Sequence, residues 1–200
     1  MEDFKQTWWD DNLDTMYDEF VSWVGGRDSI SKVFFRNYIK EKQYKTLLDL
    51  GCGNATEFFA YKDEYPELDY TGLDSSSFLY EKNTSLGVNM VLSPAENTGL
   101  PDRSYDVVFS RHVLEHQPDF KPVLTEMMRL SSREAIHVFF IAPGEFPEHI
   151  GYDQSQNLYH NRYNKSDIEK FISLNNLVES YEWISISEVE CALSIKILNP

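Results

Sequence analysis

Between residues 3 and 24, large apolar side chains (Phe4, Trp8, Trp9, Leu13, Met16, Tyr17, Phe20, Trp23, Val24) recur every three or four positions among acids. That spacing predicts one or two amphipathic helices, ended by Gly25-Gly26. Asp28 or Ser29 is placed to cap a second helix, in which Ile30, Val33, Phe34, Tyr38 and Ile39 repeat at helical spacing until the charged stop near Lys42. The pattern then changes. Thr46 to Leu50 is a short apolar run broken by Gly51-Cys52-Gly53-Asn54, and Ala55 to Tyr65 has a helical pattern again, which predicts strand, tight turn, helix. Further strands are predicted at Tyr70 to Asp74, Val88 to Leu92, Tyr105 to Phe109 and Ala135 to Ala142, with Ser75 capping one helix and another helix at Phe120 to Leu130. Strands alternating with helices imply a parallel sheet covered on both faces.

The last third differs. Residues 143–163 form a predicted loop carrying the rings of Phe146, Tyr152, Tyr159 and Tyr163, and loops of that length are usually functional or disordered. The capping-box spacing Ser166-x-x-Glu169 opens a helix, and two strands follow, about Val178 to Ser187 and Glu190 to Leu198. So short a link between them requires an antiparallel pair.

Length and charge narrow the function classes. Two hundred residues suit a single domain with one core, so residues 1–200 are expected to fold as one unit. The 18 Lys+Arg against 33 Asp+Glu give a net charge of −15, with no basic cluster; nucleic acid is therefore not an expected partner. Two cysteines, Cys52 and Cys191, make neither a metal-ligand set nor a disulfide framework, which suits a reducing compartment. The acidic, aromatic N-terminus does not resemble a signal peptide, and no apolar run reaches the roughly 18 to 20 residues that span a bilayer. A soluble, cytoplasmic protein without metal or membrane attachment is expected.

The chemistry begins at the Gly51-Cys52-Gly53 turn. Without side chains there, the backbone can approach a ligand closely, and the amides of the next helix can face polar groups. Glycine also serves a tight bend alone. Asp74 stands 21 positions after Gly53 at the end of the next strand, where a carboxylate accepts both hydroxyls of a ribose or merely caps a helix. Turn and acid together point to an adenosine-type ligand. The dinucleotide fingerprint fails at Thr56, and no phosphate-loop lysine motif exists in the chain, which leaves a ligand with ribose and adenine but no phosphates.

The run Leu47-Leu48-Asp49-Leu50-Gly51-Cys52-Gly53-Asn54-Ala55, then Gly72-Leu73-Asp74, then Ser93-Pro94-Ala95-Glu96, is followed by Leu100-Pro101-Asp102-Arg103-Ser104-Tyr105-Asp106-Val107-Val108-Phe109-Ser110 and Val113-Leu114-Glu115-His116. Four motifs in this order, over residues 45–142, resemble the class I S-adenosylmethionine-dependent methyltransferases of the small-molecule type. The resemblance implies an α/β, Rossmann-like three-layer sandwich: a mostly parallel seven-stranded sheet with an antiparallel last strand, plus N-terminal helices. It implies S-adenosylmethionine as cofactor, with Gly51 and Gly53 facing its methionine part, Asp49 near the amino group, Asp74 and Ser75 at the ribose, and Ala95 and Glu96 flanking adenine. Ser110 and Arg111 would close the methionine side, with His112 toward the acceptor. Pro94 stands where the family often has an acid that accepts from the adenine amino group, so adenine recognition would lean on backbone groups or Glu96. Ala55 replaces the third family glycine.

An in-line methyl transfer needs alignment and desolvation, and a hydroxyl or protonated amine acceptor also needs a base. His112, His116 and His149 are the candidates for that base, followed by His160 and Tyr163; each also reads as an ordinary packed or surface residue. Cys52 reads as a small packed side chain and His137 as a buried strand residue. Residues 1–30 and the 143–163 loop are expected to form a lid and the acceptor side, for a small-molecule acceptor methylated on oxygen or nitrogen. Three alternatives stay open: a non-catalytic S-adenosylmethionine-binding module, a methyltransferase acting on a protein, and a nicotinamide dehydrogenase, which Thr56 disfavours. Oligomeric state is not encoded in these patterns.

Overall fold

The computed structural model describes residues 8–144, 146–154 and 158–199, with the side chains of Trp8 and Asp10 outside that description. The start of the first amphipathic pattern, including Phe4, and positions 145 and 155–157 of the expected loop also lie outside the described residues. The chain order is α1 (Trp8–Trp23), α2 (Ile30–Lys42), β1 (Thr46–Leu50), α3 (Thr56–Glu64), β2 (Asp69–Asp74), α4 (Ser77–Ser85), β3 (Met90–Leu92), β4 (Tyr105–Arg111), a single 3₁₀ turn (Leu114–His116), α5 (Phe120–Leu130), β5 (Ser131–Phe139), the short β6 (Tyr152–Asp153) and β7 (Leu158–Tyr159), α6 (Lys165–Ser173), β8 (Val178–Ser185) and β9 (Cys191–Ile197). Seven strands form one sheet in the order β3-β2-β1-β4-β5-β9-β8. The first five run parallel, and β9 is antiparallel to both β5 and β8.

The period-2 alternation of strand side chains divides the core in two. Leu48, Leu50, Val108 and Ala135 turn to one face and pack with Val123, Met127, Ile168 and Ile172 of α5 and α6. Leu47, Val107, Phe109 and Ile136 turn to the other, against Phe35 and Ile39 of α2 and Tyr61 of α3. The result is the expected three-layer α/β arrangement. A smaller cluster of Leu13, Phe20 and Leu79 fastens α1 to α4. Helix α1 bends at Met16 (φ −110°, ψ 15°). Among the described residues, no helix is long and apolar enough to cross a membrane.

Four local expectations are corrected. Ser76, not Ser75, caps α4, its Oγ accepting from Leu79 N at 3.3 Å. Asn164, not a Ser166/Glu169 box, caps α6, because Glu169 accepts instead from Trp183 Nε1. β3 starts at Met90, two residues late, since Val88 N is committed to Asn83 O of the preceding helix. β5 starts four residues early, directly after α5, and ends at Phe139 rather than Ala142.

The polar stretch Ser131-Ser132-Arg133-Glu134 conceals the start of β5 because its buried acid is fully satisfied. Glu134 accepts from Tyr38 Oη (2.7 Å), Ser194 Oγ (2.5 Å), Tyr44 Oη and the Lys196 ammonium. Together these bonds join α2, β5 and β9 beneath the sheet. Glu134→Ala removes the shared acceptor of four donors and is expected to lower unfolding free energy by about 3 to 5 kcal/mol, read from urea denaturation; a loss below about 1 kcal/mol would show that the hub contributes little.

Candidate functional site

The turns at the carboxyl ends of β1, β2 and β4 surround a cavity of about 1280 Å³. Gly51 and Gly53 hold φ of +76° and +55°. A Cβ on Gly51 would overlap a Val113 methyl, and one on Gly53 would stand 3.1 Å from the Phe20 ring. Both positions therefore require the missing side chain. Ala55 also adopts the left-handed conformation (φ 49°) as it opens α3. Asp74 ties the turns together: its Oδ2 accepts from Gly53 N at 2.9 Å and its Oδ1 from Ser76 N at 3.0 Å. Asp74, Ser75, Ala95 and Glu96 all line the cavity.

A second group, at the foot of the cavity, carries both signs of charge. Asp49 is buried, accepts from Tyr70 Oη at 2.6 Å, and is pushed up to about 6 by burial. Glu57 is buried, neither of its oxygens has a hydrogen bond, and Arg36 lies 3.7 Å from it; burial pushes its carboxyl up to about 7. Opposite signs come from Lys32, which donates to Gly25 O at 3.0 Å, and Arg111, which donates to Ser31 Oγ at 3.1 Å and Val24 O at 3.2 Å. Burial lowers the pKa of both bases. Asp49, Glu57, Lys32 and Arg111 all line the cavity. Paired buried carboxylates beside paired cations fit an amino-acid zwitterion, the two charges being matched separately.

A third part of the wall is built of rings. His112 follows β4 in the left-handed conformation (φ 58°), with its N–H on Val138 O and its Nε2 3.1 Å from Glu190 Oε1. His116 Nδ1 lies 2.8 Å from Tyr159 O. A carbonyl only accepts, so Nδ1 carries the hydrogen and Nε2 is the basic nitrogen. Burial holds both imidazoles below the usual histidine range. The His116 ring stacks on Phe140 (6.1 Å between centroids, 30° between planes) and meets Trp9 edge-on at 6.0 Å and His160 at 5.4 Å. Trp9 in turn contacts Phe20.

Behind the wall, the segment 112–118 is clamped. Glu115 Oε1 accepts from Phe140 N, and its Oε2 lies 3.2 Å from His137 Nε2. Asn161 donates from its amide N to Glu115 O, and Tyr163 Oη donates to Leu114 O. The carboxylate's grip on Phe140 N explains why β5 ends one residue earlier.

Of the expected cofactor residues, Asp49, Gly51, Gly53, Asp74, Ser75, Ala95, Glu96 and Arg111 line the cavity together; so do His112, His116 and His160. The structure corrects three other expectations. Ser110 is buried beneath the sheet's end with its Oγ 2.6 Å from His137 Nδ1, off the cavity. His149 is exposed and bridges to Arg162 outside the cavity. Tyr163 is a core residue against Phe120, its hydroxyl donated to a carbonyl. Of the expected loop rings, Phe146 is exposed, and the loop's described residues reach the cavity through Leu158 and His160.

Lys32, Glu57 and Phe140 were not singled out by sequence, and Phe20 stands out there only as part of the apolar pattern of the first helix. A signal for the first two exists: Lys32 shares the buried stripe of α2 with Phe35, Arg36 and Ile39, and Glu57 that of α3 with Ala60 and Tyr61. A charge on the apolar stripe of a helix is a mark of a site.

Residues 48–139 match the family model described as a methyltransferase domain. No curated protein matches the chain in sequence. Among solved structures, the fold is similar to the 1,6-didemethyltoxoflavin-N1-methyltransferase of Burkholderia thailandensis with bound 1,6-didemethyltoxoflavin and S-adenosylhomocysteine, at TM-score 0.69 and 12% identity, covering 94% of this chain and 86% of that one. It is also similar to the plantazolicin methyltransferase BpumL in complex with a pentazolic desmethylPZN analog and S-adenosylhomocysteine (TM-score 0.68, 16% identity, 98% and 94% coverage).

A carboxylate with a raised folded pKa favours folding below its unfolded pKa, and that contribution is lost as pH climbs through the folded value. For Glu57 the window runs from about 4.5 to about 7. Glu57→Gln is therefore expected to raise Tm more at pH 8 than at pH 5 by scanning calorimetry; equal shifts at the two pH values would contradict a carboxyl whose burial outweighs its neighbouring cations.

Proposed function

We propose that this chain, in which residues 48–139 match a methyltransferase domain, is a class I S-adenosylmethionine-dependent methyltransferase that methylates a nitrogen or oxygen of a small-molecule acceptor. The observation that carries this reading is one cavity lined by a ribose-type acid at Asp74, a zwitterion-type charge set at Asp49, Glu57, Lys32 and Arg111, and imidazoles at His112 and His116.

The residues fit the cofactor. Asp74 accepts from Gly53 N and Ser76 N and lines the cavity, where a carboxylate at the end of the second strand suits ribose hydroxyls. Glu57, without a hydrogen bond, and Asp49 match an ammonium, while Lys32 and Arg111 match a carboxylate. Ala95 and Glu96 lie where adenine would be flanked. When bound, S-adenosylmethionine supplies a methyl group on positively charged sulfur, which the acceptor's lone pair displaces, the carbon–sulfur electron pair staying on the resulting thioether.

The chain's own part is orientation, exclusion of water and one proton. His116 is the base: Tyr159 O holds its Nδ1–H, so Nε2 takes the proton that the acceptor's N–H or O–H loses. His112 shares the wall but is held by Glu190, which makes it a positioning residue. Helix α1 and the residue after it, through Trp9, Phe20, Trp23 and Val24, are the cover of the acceptor side. The two similar proteins carry a small molecule or a desmethyl analog with S-adenosylhomocysteine, which supports an acceptor of modest size.

Calorimetric titration with S-adenosylhomocysteine tests the cofactor assignment. Asp74→Ala is expected to weaken binding by about 1 to 3 kcal/mol, the scale of unpaired buried hydroxyls, and NADH is expected not to bind; NADH binding, or an unchanged affinity in Asp74→Ala, would overturn it. His116→Gln is expected to cut turnover by about 10²-fold to 10⁴-fold while leaving S-adenosylhomocysteine affinity intact. In the wild type, kcat/KM should rise with pH through a midpoint below the usual histidine value of about 6.5. Retention of that rise in His116→Gln would remove His116 from proton transfer.

A further inference from the structure

Resting on the methyl-transfer reading, the acceptor class is written into the ring wall. The cavity, about 1280 Å³, exceeds the roughly 300 to 1,000 Å³ that holds one small ligand, so a second molecule fits beside the cofactor. The rings form one connected surface. Phe20 overhangs the Gly53 turn, Trp9 touches Phe20 and His116, and Phe140 bridges His116 and His112. The surface thus starts at the cofactor turn and leads away from it.

The charge along that surface differs from the foot of the cavity. Burial keeps His112 and His116 toward their neutral forms. Two acids back the wall without lining the cavity: Glu115 is spent on Phe140 N and His137 Nε2, and Glu190 is held by His112 Nε2 and by Ser31 Oγ. Arg111 is turned to Ser31 and Val24. Asp119 stands at the rim, capping α5 through Lys121 N. The remaining cavity carboxylates, Asp49, Glu57, Asp74 and Glu96, belong to the cofactor side. An ammonium or carboxylate placed against the rings would lose water without gaining a counter-charge, whereas a neutral flat ring gains offset or edge contacts with several aromatic partners at once.

We infer that the acceptor is a neutral, planar heteroaromatic molecule, bound against Trp9, His116 and Phe140 with the ring N–H or O–H to be methylated directed at His116 Nε2. An aliphatic amine and a charged peptide lack that match. The neutral wall favours an acceptor whose ionisable hydrogen sits on a conjugated ring, because delocalisation there lowers its pKa into the reach of a histidine base.

The test uses the full chain saturated with S-adenosylhomocysteine, with lumazine and 4-hydroxyquinoline as flat probes and cyclohexylamine and tetraglycine as controls. Binding is read by calorimetry and by quenching of tryptophan fluorescence. Both flat probes are expected to bind and the controls not to. Phe140→Leu and Trp9→Leu should weaken the flat probes by about tenfold, leaving S-adenosylhomocysteine affinity unchanged; Trp9→Phe, which restores a ring, should recover most of the loss. Failure of both flat probes on cofactor-saturated protein, preference for a control, or equal binding to the leucine variants would overturn the inference and leave the methyl-transfer reading standing. Failure to bind S-adenosylhomocysteine would overturn both.

Discussion

The carboxylate of Asp74 joins the turn after β1 to the turn after β2, one oxygen on Gly53 N and the other on Ser76 N. Neither turn is stable in this form alone: the first passes through three left-handed residues, Gly51, Gly53 and Ala55, and the second has to seat Ser76 as the cap of α4. Charge-assisted bonds to backbone N–H groups are the strong kind, and here they fix the distance between two loops that line the same cavity. Asn83 adds a third tie, donating to Gly53 O at 2.8 Å. The parallel order of β1 and β2 brings these loops to one edge of the sheet; Asp74 sets their spacing there.

From that edge the site is graded by charge. Its foot holds buried acids and bases at the sheet's centre, where burial pushes Asp49 and Glu57 up and Lys32 down, a set that matches a ligand bearing both charges. Its far wall holds rings on a segment clamped from behind. Glu115 is central to the clamp: burial pushes its carboxyl up, but the His137 hydrogen bond, the nearby imidazoles of His137 and His112 and a backbone hydrogen bond together hold it below the usual range. Ser110, His137 and Glu115 have the residue types of a nucleophile triad, but Ser110 and His137 are sealed in the core, so the three brace β4, β5 and the 112–118 segment.

Much of this was legible in the chain. The alternation of apolar runs with helical stripes gives seven sheet strands, and the Gly51 turn with Asp74 marks the edge that borders the cavity, because both signals are local and rest on backbone conformation. What failed was non-local. Glu134 makes the start of β5 look like a loop until Tyr38, Tyr44, Ser194 and Lys196 are brought to it. Ser110 follows the fourth-strand motif yet points inward, since the period of two puts it on the opposite side from Phe109 and Arg111, which line the cavity. The histidines could be ranked but not placed: His116 ends a motif and His149 lies in the long loop, yet only the Tyr159 carbonyl and the ring contacts show how His116 is held. Lys32 and Glu57 were hidden because a charge on a buried stripe has meaning only once the stripe's neighbours are known.

On the proposed reading, one edge of the sheet presents a ribose acid, a zwitterion set and a neutral ring wall in a fixed order. A crystal structure of the protein with S-adenosylhomocysteine tests it most directly. The account predicts both ribose hydroxyls within hydrogen-bond reach of Asp74, about 2.5 to 3.0 Å, the amino-acid group between Glu57 and Lys32, and the thioether sulfur turned toward His116. A nucleoside bound elsewhere, or a sulfur turned away from the ring wall, would contradict it.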